Sequence, residues 1–133
     1  MHMPEHLEVR EGFCHFSPRG ESSLVEAVTL ITSAFAYCRA HRKAKLLVDV
    51  TGLAGVAIPS LVDRFLMVEE WAFEGKGMVV AAMVAHAEYI HPQKFGVRVA
   101  ADLGLMVDVF TSEEEALKWL LTAPLPSGRT ARG

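Results

Sequence analysis

No apolar run in this chain approaches the roughly 20 residues that a helix needs to cross a bilayer; the longest, Met78–Ala85, falls far short. The first residues show no basic segment followed by an apolar one, so nothing suggests export, and the chain reads as cytoplasmic with no integral membrane segment. Cysteine is scarce. Cys14 and Cys38 have neither CxxC spacing nor a histidine at a metal interval, which excludes a disulfide scaffold and a thiolate metal centre. Both lie on apolar faces and read as buried free thiols. Positive charge is also short: the net charge is −3, and setting aside Arg129 and Arg132 near the C-terminus leaves the rest more negative still. Phosphate neutralisation needs Lys and Arg, so the composition argues against nucleic acid as a partner. The basic cluster Arg39–Lys45 closes a helix, where cations complement the dipole. Phosphate-cradling glycine motifs are missing too. Gly52-Leu53-Ala54-Gly55-Val56 has neither GxGxxG spacing nor a P-loop ending, and no cofactor is expected.

What the chain has in quantity is apolar residues, 51% of 133. That is high for a soluble domain and ample for one core. The surplus is expected in a subunit interface or a ligand cavity. One domain is expected over 1–122, with 123–133 a disordered tail that contains Pro, Gly and Arg and has no periodicity.

The pattern then gives the elements in order. Two short strands, His6–Arg10 and Phe13–Phe16, flank a Glu11-Gly12 turn. Ser23-Leu24-Val25-Glu26 is a capping box opening a helix from Leu24 to His41, with Leu24, Val28, Ile31, Phe35 and Cys38 as its apolar stripe. Leu46–Val50 reads as a central strand buried on both faces. Pro59 is placed in the first turn of a helix that extends to about Phe73. Leu61, Phe65, Val68 and Ala72 form one stripe of that helix, Val62, Leu66 and Phe73 a second, and Met67 and Trp71 widen it further. A helix so broadly apolar touches more than its own sheet. Met78–Val84 is a further buried strand, a short helix begins near Pro92 and buries Phe95, Val99 and Leu103, and Gly104 caps it. Leu105–Phe110 is the last strand. Ser112 and Glu115 open the final helix, which buries Ala116, Leu117, Leu120 and Leu121. Alternation after an opening strand pair implies an α/β fold: a mainly parallel sheet of four to five strands with an antiparallel edge and about four helices.

Chemistry-bearing residues are few. Asp49 and Thr51 stand at the carboxyl end of the central strand, where open α/β sheets place their sites; the structural reading, which the residues favour, is that Asp49 accepts local backbone N–H bonds while Thr51-Gly52 makes the turn. His86 and His91 are five apart, not the i, i+4 of a helical zinc pair, and no cysteine or carboxylate supports them, so no metal is expected. Imidazoles lining a shallow cleft fit better. His15, alone in its strand, reads as structural.

Several segments carry a resemblance: Gly52–Val56, Glu88–Gly96, Ala101–Gly104 and above all Val109–Leu120, VFTSEEEALKWL. They resemble the SpoIIAA-like family of small STAS/Sec14-type domains over about Leu7–Leu121. The resemblance implies a binding or regulatory module, in which the loop after the central strand, Thr51–Ser60, and the helix that follows dock a partner. Anti-sigma-factor antagonists carry Asp-Ser-x-Gly in that loop. Here Ala57-Ile58-Pro59-Ser60 stands instead, with Ser60 displaced by about two residues. His91 stands where relatives tend to have aspartate before the proline.

The reading that follows is a non-catalytic STAS-like module, expected to be homodimeric. It would engage a protein partner or a small apolar or anionic ligand through Asp49, Thr51, Gly52, Ser60, Phe65, Met67, Trp71, His86 and His91. Two alternatives stand beside it: a small hydrolase or isomerase using Asp49 with His86 or His91 as an acid–base pair, and a phosphoswitch at Ser60 or Thr51.

Overall fold

Residues 2–126 are described by the computed structural model. β1 (Leu7–Arg10) and β2 (Phe13–Phe16) form an antiparallel hairpin, Leu7 opposite Phe16 and Arg10 opposite Phe13. Its two-residue turn needs a left-handed backbone, which Gly12 supplies at φ 87°. α1 (Leu24–Ala40) starts from the complete Ser23–Glu26 capping box and returns the chain to β4 (Lys45–Asp49). Then come α2 (Leu61–Gly75), β6 (Val80–Val84), a 3-10 turn at Ala87–Tyr89, α3 (Phe95–Asp102), β7 (Val107–Phe110) and α4 (Glu113–Thr122). The main sheet has five strands in the order β1-β2-β4-β6-β7, parallel except for the edge pair β1–β2. This is the single-domain α/β architecture expected from the element order.

Alternation along the strands divides the core in two. Cys14, Phe16, Leu46, Val48 and Ala81 face α1, α2 and α3, and join Phe35 and Trp71 in the larger cluster. Leu47, Val80, Ala82 and Val84 face α4 and meet Ala116 and Leu120. α2 packs chiefly on α1 and α3 rather than on the sheet. It is joined to α1 by the stacked pair Phe35–Trp71, with ring centroids 6.1 Å apart, which contributes about 1 kcal/mol beyond area burial, and by hydrogen bonds from Thr32 to Glu70 and from Arg39 to the Glu74 carbonyl. A helix held at its flanks over a sheet leaves space beneath it.

Several local expectations need correction. A small second sheet pairs β3 (Gly20–Glu21) with β5 (Leu53–Ala54) in parallel, where the sequence reads as plain loop. Pro59 is not in the first turn of α2: Ser60 is the N-cap, closing a full capping box with Asp63, and Pro59 precedes it. At α4 the box is half made, Ser112 accepting from the Glu115 amide. α3 begins at Phe95 rather than near Pro92, because Gln93 forms a turn and Lys94 is left-handed at φ 51°. The apolar stripes of α2 are turned from their expected phase. Val68 and Trp71 are buried, whereas Leu61, Phe65, Leu66 and Phe73 are exposed. Leu103 and Leu121 are exposed as well. Of the expected tail, Ala123 receives a hydrogen bond from Lys45 Nζ at 2.8 Å and Pro126 is buried; residues 127–133 lie outside the described residues. No helix among the described residues is long and apolar enough to cross a membrane.

Candidate functional site

The space beneath α2 is a cavity of about 300 Å³. Its floor is the sheet face formed by Val50, Met83, Val107 and Val109, and its walls are Val28 and Ile31 of α1 with Met67, Val68 and Trp71 of α2. Residues that alternate outward from Val48 to Val50 and from Ala81 to Met83 reach this face because β4 and β6 are parallel and in register, Val48 beside Met83. The lining is predominantly apolar, with a few polar groups on one side: Arg64, His86, Glu88, Tyr89, His91 and Lys94. A mostly apolar concavity with a few placed polar groups is the usual composition of a small-molecule site.

The polar side is held mainly by hydrogen bonds between side chains and backbone. Arg64 Nη1 donates to the Tyr89 carbonyl at 2.9 Å, tying α2 to the segment after β6. The Tyr89 hydroxyl donates to the Val56 carbonyl at 2.6 Å, tying that segment to the loop before α2. His91 Nδ1 accepts from the Gln93 amide at 3.1 Å, so an imidazole makes the turn that an aspartate would otherwise make. Lys94 is paired with Asp108 at 2.7 Å. The Arg64 guanidinium, by contrast, has no carboxylate within 4 Å among the described residues.

Asp49 belongs to the other face of the sheet. Neighbouring Val50 lines the cavity, so alternation turns Asp49 toward α4, where its Oδ1 accepts from the Thr51 amide at 2.9 Å and the Thr51 hydroxyl at 2.6 Å. Its other neighbours are Glu113 and His15. Burial pushes the Asp49 carboxyl up, but Glu113, the Thr51 hydroxyl and amide, and His15 outweigh it and hold the group below the ordinary aspartate range. His15 is buried and pairs with Glu113 Oε2 at 2.8 Å. Among the described residues no hydrogen bond or ion pair joins Asp49 to His86 or His91. No group of three His, Cys, Asp or Glu side chains there could hold a metal ion.

The sequence candidates therefore separate into three places. Met67, Trp71, His86 and His91 line the cavity. Asp49 and Thr51 form the polar cluster on the α4 side. Gly52 lies against the Pro18 carbonyl and Arg19, Ser60 caps α2, and Phe65 is on its exposed side. Sequence reasoning missed Arg64, Tyr89 and Lys94 in the cavity, and Glu113 beside Asp49. Arg64 sits one turn before Val68 on α2, but the sequence does not show that this side of the helix faces inward.

No protein-family model matches the chain, and no curated protein matches it. It is similar to the crystal structure of an uncharacterized protein of the DUF3478 family from Shewanella loihica PV-4, described as having a SpoIIAA-like fold; the two are 20% identical, the match covers 86% of this chain and 90% of that one, and the TM-score is 0.47.

Proposed function

We propose that this chain is a non-catalytic, STAS-like binding module that takes a small ligand with an apolar body into the cavity under α2. The observation that carries the reading is the cavity itself: about 300 Å³, apolar on the sheet and helix sides, with its polar groups gathered on one side. The pinning of Asp49 by Thr51 supports a module without an acid–base pair, because both hydrogen bonds favour a fixed carboxylate over one free to shuttle protons. Native mass spectrometry of the protein after exposure to an extract of apolar small molecules tests the reading. The wild type should retain bound mass, and a Met83→Trp variant, whose indole would occupy the cavity, should lose it. Equal retention by both, or none by a folded wild type, counts against the cavity as a site.

The outer face of α2 supports a second contact. Leu61, Val62, Phe65 and Leu66 are exposed there, with Phe73 beyond the exposed Glu69, and a cluster of exposed apolar residues of this kind is a candidate interface. On this reading the module is a homodimer joined along α2. Cavity and cluster are on different sides of the helix, so ligand and second subunit do not compete.

A further inference from the structure

Arginine carries five N–H donors in a rigid fork and keeps its charge at any physiological pH. Arg64 lines the cavity and uses Nη1 on the Tyr89 carbonyl. The other cation of the lining, Lys94, is already neutralised by Asp108. Glu88 lines the cavity too, but it is exposed and lies beyond 4 Å of the guanidinium, where water screens it. A half-buried guanidinium with spare donors, beside an apolar wall and without a carboxylate, is matched electrostatically by an anion from outside the chain. His91 adds a donor. Its Nδ1 accepts from the Gln93 amide, so in the neutral ring the proton sits on Nε2. The cavity, about 300 Å³, has room for an apolar chain of several carbons with its head group.

We propose that the cavity takes a small amphiphilic monoanion, with its carboxylate-type head on Arg64 and His91 and its apolar body against Trp71, Met67 and Met83. This rests on the reading of the cavity as a ligand site and adds the charge, the size and the residue that selects the head.

Titration calorimetry on the full chain with three eight-carbon probes, octanoate, 1-octanol and octyltrimethylammonium, tests it. Octanoate should bind about tenfold or more tighter than 1-octanol, the effect of a charge-assisted pair, and the cation should not bind. Arg64→Gln should remove that advantage while leaving 1-octanol affinity within about twofold, which also shows that the variant is folded with its cavity intact. If Arg64→Gln does not fold, the comparison of the three probes on the wild type still decides. Equal binding of octanoate and 1-octanol, preference for the cation, or unchanged octanoate affinity in a folded Arg64→Gln overturns the head-group assignment and leaves the cavity standing as a site. Failure of all three probes overturns both.

Discussion

The Tyr89 hydroxyl donates to the Val56 carbonyl at 2.6 Å, and this bond joins the segment after β6 to the loop between β5 and α2 across the edge of the cavity. Both segments are loop or single-turn structure without a ladder of their own, so one side-chain bond is a large part of what fixes their separation. Tyr89→Phe removes the hydroxyl and keeps the ring. The expected loss of stability is about 1 kcal/mol, read from chemical denaturation. The larger effect should be on the cavity, with faster ligand release and little change in association. A dissociation rate equal to wild type would show that this bond does not hold the cavity closed.

How far the sequence reveals such a site depends on which interactions are local. The hairpin, the Ser23–Glu26 capping box, the Ser112 cap and the buried run of β4 are set by neighbours within a few residues, and they are legible. Phase on α2 is not. With apolar residues nearly all round the helix, periodicity cannot tell Phe65, which is exposed, from Val68, which is buried. The sides are chosen by Phe35 stacking on Trp71, a contact between residues distant in the chain. Arg64 then faces inward for the same reason, and no pattern in the sequence marks a cation destined for an apolar wall. Likewise His15 and Glu113, at opposite ends of the chain, meet only because β2 lies beside β4 and α4 covers that face. Ser60 was masked by Pro59, a strong helix-start signal that proved to lie one residue outside the cap.

The cluster on the α4 face gives a prediction with a pH sign. Asp49 titrates below its ordinary value of 3.8 in the folded protein. A lowered folded value means that the ionised carboxylate contributes stability in full above the ordinary aspartate range, and that this contribution is lost as pH falls through the folded value. Asp49→Asn should therefore cost about 1–2 kcal/mol at neutral pH, where it weakens the charge-assisted bonds from Thr51. It should also flatten the loss of stability at pH below 3.8 relative to wild type. Urea midpoints measured from neutral to acid pH check this. Parallel curves for the two proteins would remove Asp49 from the acid response.

Cys14 and Cys38 are both fully buried, and they contact each other between β2 and α1. Hydrogen bonding with Cys14, and then burial, push the Cys38 thiol up, away from the reactive thiolate. Neither thiol should react with an aromatic disulfide reagent in the native protein on the scale of minutes, and both should react once denaturant opens the core. Rapid labelling of a native thiol at full stoichiometry would mean that the α1 side of the core opens far more readily than its packing implies.

If α2 joins two subunits, a charge in its exposed apolar cluster should separate them. Leu66 is 54% exposed on the same side as Val62, so Leu66→Glu removes little buried apolar surface inside the protomer. Burying an unpaired carboxylate in an interface costs several kcal/mol, enough to shift a micromolar dimer to monomer. Sedimentation velocity should find a dimer for the wild type and a monomer for Leu66→Glu, with the same thermal stability at low concentration. A wild type that stays monomeric across the accessible range ends the proposal.

Two glycines in the helical layer reverse the usual inference from crowding. Gly75 ends α2 with Phe35 Cδ1 only 3.5 Å from where a Cβ would stand, while Gly104 has nothing within 4 Å of that position. Space alone would make Gly104 the replaceable one. Its backbone decides otherwise. Gly104 sits at φ 81° just past α3, where its amide bonds the Ala101 carbonyl at 3.2 Å and the Leu105 amide bonds the Ala100 carbonyl at 2.8 Å. That pair of bonds is a Schellman termination, and it requires the left-handed conformation. A side chain there costs about 1–2 kcal/mol, so Gly104→Ala should lower the denaturation midpoint despite the open space. Gly75 is helical, and a methyl group at 3.5 Å makes an ordinary van der Waals contact with Phe35. Alanine is also the better helix former, by up to about 1 kcal/mol. Gly75→Ala should therefore leave stability unchanged or raise it, and chemical denaturation of the two variants side by side gives the test. A destabilised Gly75→Ala with an unaffected Gly104→Ala would mean that side-chain packing, not backbone conformation, governs the ends of these helices.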